Sequence, residues 1–112
     1  MSQQDQYRLK IRQIVSAFRE IKPKRIVLFG STAKKTIHAD SDIDVCVITE
    51  TDNSLKTKRE LQTKLWEHRV GFTPEIDIHV FPPKIYTDYK QRKDPFVEEI
   101  EKGIVLYEQG SL

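Results

Sequence analysis

Residues 25–49 read RIVLFGSTAKKTIHADSDIDVCVIT, and the fold turns on how this stretch divides. Arg25 to Phe29 is a run of β-branched and aromatic residues, the composition of a buried strand. Gly30 ends that run, and Ser31 is suited to cap a short helix beginning there. A polar stretch, Lys34 to Ser41, then leads into a second apolar run, and Asp42 to Thr49 is predicted to be a second strand. A strand ending in Gly-Ser at a helix start offers free backbone N–H groups and a hydroxyl. The helix N-terminus is partly positive and glycine permits close approach, so the segment suits a phosphate group. Asp42 and Asp44 stand two apart on the second strand, which points both carboxylates to one face. Like charges held together are unfavourable unless protonated, solvated or neutralised by cations. Magnesium shared between carboxylates and substrate phosphates is a common resolution.

Working outward, Tyr7, Ile11, Ile14, Phe18 and Ile21 recur at spacings of four and three, predicting an amphipathic helix from Asp5 to Lys22 that Pro23 ends. On the other side, a turn at Glu50 to Asn53 precedes a helix from Ser54 to His68. Leu55, Leu61, Leu65 and Trp66 form its apolar side, with Trp66 read as a core residue and Gly71 past the end. Glu75 to Phe81 alternates polar and apolar, with Glu75, Asp77 and His79 on one face and Ile76, Ile78 and Val80 on the other. Pro82 and Pro83 close this third strand, whose Asp77 can supply a third carboxylate. Asp94-Pro95 is an N-cap with proline at the first helical position. The helix it opens turns Phe96, Val97 and Ile100 inward and stops at Gly103, and Ile104 to Tyr107 forms the last strand. The order α-β-α-β-α-β-α-β implies an α/β (α+β) fold, a sheet with helices packed on it.

Composition bounds the rest. The chain has 112 residues, the size of one domain, with 38% hydrophobic and 32% charged residues, four Gly and five Pro, which excludes collagenous and strongly disordered classes. The longest apolar runs are four residues, Ile26 to Phe29 and Val45 to Ile48, against about 20 for a membrane helix. The N-terminus has no signal-like apolar stretch. A single cysteine, Cys46, forms no internal disulfide and reads as a core residue, so the expected location is cytoplasmic. The net charge of +2, from 19 basic and 17 acidic residues, is too small to argue for duplex nucleic acid. The three histidines, His38, His68 and His79, do not share ligand spacing with the cysteine, which argues against zinc. His79 shares the Asp77 face and is read as an ordinary strand residue, and His38 and His68 as solvated. Two rival motifs fail on the letters. A Walker A loop ending at Lys35-Thr36 needs glycine at Phe29 and Lys34, and an EF-hand on Asp40, Asp42 and Asp44 needs glycine at Val45 and glutamate at Thr51.

At these residues the sequence resembles the minimal nucleotidyltransferase (MNT) domains of the DNA polymerase beta superfamily. Gly30-Ser31-Thr32-Ala33 followed by Ser41-Asp42-Ile43-Asp44 has the family spacing, and Asp77 in Glu75-Ile76-Asp77-Ile78 matches the later third aspartate. Asp94 to Ile100 with Gly103 to Tyr107 is similar to the family's closing helix and strand, and the likeness covers about residues 8–108. It implies one small nucleotidyltransferase domain over residues 1–112 with a mixed four-stranded sheet. It also implies AMP transfer from ATP: Asp42, Asp44 and Asp77 as catalytic carboxylates binding two Mg2+ ions, with Gly30, Ser31 and Lys35 at the triphosphate. Lys35 replaces a glycine usual in the family, so either the loop is reshaped or Lys35 reaches the triphosphate. Larger relatives grip their acceptor with a second domain. A stand-alone domain of this kind resembles the antitoxin of a toxin–antitoxin pair, which implies a HEPN-type toxin as partner and a hydroxyl of that toxin as acceptor. A non-catalytic binding module and a small-molecule (aminoglycoside-type) transferase are the alternatives, and the oligomeric state is open.

Overall fold

The computed structural model describes residues 2–30 and 42–110. Helix α1 (Gln3–Phe18) starts at Ser2, whose hydroxyl accepts from the Asp5 N–H, and tightens into a 3₁₀ turn (Arg19–Ile21) ahead of Pro23. Strand β1 (Arg25–Phe29) runs to Gly30, and β2 (Ile43–Ile48) returns beside it. Helix α2 (Ser54–Glu67) is capped by Asn53, whose side chain accepts from the Lys56 N–H. Then come β3 (Ile76–Phe81), α3 (Pro83–Gln91), α4 (Pro95–Glu101) and β4 (Ile104–Glu108). The helix expected to begin at Ser31 lies outside the described residues.

The four strands lie in the order β3-β2-β1-β4. β1 is antiparallel to both β2 and β4, whereas β2 and β3 are parallel, so the sheet is mixed as expected. A parallel pair needs a long crossover, and here the α2 segment makes it. Alternation then sorts the side chains. Ile26, Leu28, Ile43, Val45, Val47 and Ile78 share one face with Tyr7, Ile14, Ala17 and Phe18 of α1 and Leu61 of α2. Val27, Phe29, Cys46 and Ile48 face the other way, onto Tyr86 of α3 and Val97 and Ile100 of α4. Each fully buried aliphatic or aromatic side chain among these contributes on the order of 1.5–3 kcal/mol.

Four expectations need correction. Pro82-Pro83 does more than close β3. Pro83 occupies the first turn of α3, where a missing N–H costs nothing, and the helix buries Tyr86 against the sheet. Trp66 is not in the core but 71% exposed, because α2 turns Leu61 and Leu65, four apart, onto the sheet and Trp66 falls well round the helix from Leu61. Phe96 is only partly inward, at 40% exposed, lying across Phe29 and Phe81 with T-shaped and tilted ring contacts. His68 is half-buried rather than solvated, with its Nε2 paired to Glu20 in the 3₁₀ turn that follows α1.

Candidate functional site

The parallel register sets Asp44 directly opposite Asp77, and the antiparallel register sets Phe29 opposite Asp44. All three side chains therefore project from the face that carries Cys46, and not from the face under α1 and α2. Residues two apart share a face, so His79 joins them. Asp44, Asp77 and His79 each present one donor atom such that all three lie within 4.8 Å of one another. His79 Nε2 is 3.5 Å from Asp77 Oδ2, with side-chain exposures of 30% and 50%. Two carboxylates and an imidazole, contributed by strands more than thirty residues apart in sequence, thus meet at one end of the sheet.

Gly30 closes one side of this cluster. Its φ is +77°, and a Cβ at this position would fall 2.6 Å from Asp44 Oδ2. Glycine is therefore required twice, once for the left-handed backbone and once for the space the Asp44 carboxylate occupies. Burial pushes the Asp44 carboxyl above its ordinary range, the neighbouring Asp77 adds to this and Asp42 contributes further, while His79 opposes them. Among the described residues, Asp77 and Asp42 thus outweigh His79 in their effect on this carboxyl. Carboxylate oxygens this close together are a donor set that fits a hard divalent cation.

Asp42 is placed differently from the expectation. β2 begins at Ile43, so Asp42 precedes the strand, is exposed, and is not in the set of atoms within 4.8 Å. Its charge still reaches Asp44. Ser31, Lys35 and Ser41 lie outside the described residues. Cys46 is fully buried beside the site, and burial pushes its thiol up to about 12, which keeps it protonated and out of the donor set.

His79, expected to be an ordinary strand residue, belongs to the cluster. Its ring centroid lies 5.4 Å from that of Phe29 and 5.1 Å from that of Phe96. The alternation of residues 75–81 already put it on the Asp77 face. What one strand's pattern does not carry is that β3 would pair with β2 in the register that sets Asp77 against Asp44.

With that geometry in place, comparison with known families is decisive. Residues 10–107 match the nucleotidyltransferase domain family. The chain belongs to that family. No curated protein matches the sequence. As a nucleotidyltransferase domain, it has nucleotidyl transfer as its reaction class, a nucleoside triphosphate as donor substrate, and a family chemistry that typically uses a divalent metal. The acidic cluster at Asp44 and Asp77 lies within the matched span. No helix among the described residues is long and apolar enough to cross a membrane.

Proposed function

We propose that this nucleotidyltransferase domain transfers AMP from ATP to a hydroxyl of a partner protein, with Asp42, Asp44 and Asp77 holding two Mg2+ ions. The observation that carries the reading is the convergence of Asp44 and Asp77 across the parallel strands, beside the left-handed Gly30. Bound divalent ions stabilise charge on the entering and leaving oxygens of an in-line displacement at phosphorus. The bond between the acceptor oxygen and the α-phosphorus forms, the bond to pyrophosphate breaks with its electron pair leaving on pyrophosphate, and the hydroxyl proton passes to solvent. Gly30, Ser31 and Lys35 hold the triphosphate, and Asp77 assists removal of the proton. A macromolecular acceptor is favoured by access: Asp77 is half-exposed and sits on β3, an outer strand of the sheet. The partner we assign is a HEPN-type toxin, with this chain as the antitoxin of the pair in the cytoplasm.

The test is incubation with ATP labelled at the α-phosphate, Mg2+ and the product of the neighbouring reading frame. Label on that protein, lost in Asp44→Asn, is the expected result; no label on it, with both proteins folded, rejects the reading. One sequence feature favours a second reading, a binding module that neutralises its partner by complex formation: Lys35 stands where the family usually has glycine. Neutralisation that survives Asp44→Asn in cells selects this second reading.

A further inference from the structure

A residue outside the three aspartates bears on which ion the site takes. We infer that His79 is a third ligand, through Nε2, of the cation held between Asp44 and Asp77, and that the site therefore binds first-row transition ions such as Mn2+ more tightly than Mg2+. The inference rests on the metal-binding part of the function proposed above and adds to it a nitrogen donor and a metal preference.

Three features of the structure converge on it. The first is spacing. Two donors each about 2.1 Å from one ion are about 3.0 Å apart when adjacent and about 4.2 Å apart when opposite. His79 Nε2 and Asp77 Oδ2 are 3.5 Å apart, inside that range and longer than a normal hydrogen bond. Asp44 completes a set of three donors within 4.8 Å. The second is orientation. The ring is flanked by Phe29 at an interplanar angle of 60° and by Phe96 at 61°. These contacts, each worth on the order of 0.5–1.5 kcal/mol, hold the imidazole in place with Nε2 toward Asp77. The third is chemistry. Imidazole nitrogen suits transition ions, whereas Mg2+ prefers an all-oxygen octahedron, much of it water. The Cys46 side chain opposite His79 in the parallel register is fully buried and does not join the set of donor atoms.

The full chain loaded with Mn2+ tests this by pulsed EPR, which reads nitrogen coupled to the ion without reference to turnover. A coupling that shifts isotope when histidine is 15N-labelled is expected, and it needs no variant. His79→Phe keeps the aromatic packing, removes the donor, and is expected to abolish the coupling. In calorimetry it should weaken Mn2+ by about tenfold or more and Mg2+ by clearly less. Mn2+ bound with oxygen ligands alone overturns the inference and leaves the proposed function standing, as does a nitrogen signal that survives in His79→Phe. No Mn2+ binding at all overturns both.

Discussion

Gly30→Ala is the sharpest single perturbation available in this protein. At φ +77° the added methyl meets backbone strain of about 1–2 kcal/mol for an L-residue in the left-handed region. It also falls 2.6 Å from Asp44 Oδ2, closer than carbon and oxygen can sit, so the carboxylate must swing away. The carboxylate is the flexible end of its side chain, so its displacement adds little to the fold's energy and much to the site's. A loss of about 2 kcal/mol follows, which at this chain length lowers the thermal midpoint by roughly 8 °C. Divalent binding should fall much further than stability, since one of its oxygens is moved. Gly71→Ala is the control, because a Cβ there meets nothing within 4 Å and the backbone is not left-handed. The measurements are a denaturation curve in EDTA and a Mn2+ titration, on both variants. If Gly30→Ala matches Gly71→Ala in both, the packing of Asp44 against the glycine has been misread.

Further outcomes follow from the same geometry. Because the folded pKa of Asp44 lies above its ordinary 3.8, the native state holds that proton more tightly than the unfolded chain, and stability falls as pH rises from 3.8 through the raised value. Asp44→Asn should therefore melt higher than wild type in EDTA at pH 7, with the ranking inverted under saturating Mn2+; a lower midpoint in EDTA contradicts the raised pKa. Lys10 Nζ donates to the carbonyls of Gly71 and Pro74 at 2.6 and 2.8 Å, tying α1 to the segment leading into β3. Lys10→Met should cost about 1–2 kcal/mol in urea unfolding, and no change would mean that water replaces it freely. A Cβ at Gly103 would fall 2.3 Å from the Leu28 carbonyl, so Gly103→Ala should destabilise by several kcal/mol or yield insoluble protein, a result read from expression and melting. Leu61 is fully buried under the sheet, and Leu61→Ala should cost about 2–5 kcal/mol in the same denaturation assay.

The strands were legible because their signals are local. Arg25 to Phe29 and Ile104 onward are short β-rich runs with glycine beside them, and the alternation of residues 75–80 tells which side chains share a face. Helix α4 announced itself through Asp94-Pro95. Helix α3 is hidden in the sequence because Pro82-Pro83 serves equally as a strand's stop and as a helix's start. Trp66 stands in a cluster of large apolar residues, but its angle round the helix sets it away from Leu61 and out of the core. At the site, the individual carboxylates were visible as letters. The parallel pairing that sets Asp77 opposite Asp44 was not, since register between distant strands is a property of the packed sheet. His79 was undervalued for the same reason: its worth depends on Phe96, which reaches it from α4, a separate part of the chain.

β3 lies on the outside of the sheet and is hydrogen-bonded to β2 alone among the described strands. An ion shared by Asp44 and Asp77 would act as a rivet through that outermost layer. At a hundredfold excess over its dissociation constant such a ligand adds about 2.7 kcal/mol to the folded state, applied where opening is cheapest. Amide protons along residues 76–81 should then exchange with solvent more slowly when the ion is present than when it is removed, so that loading the site and closing the rim of the sheet become one event.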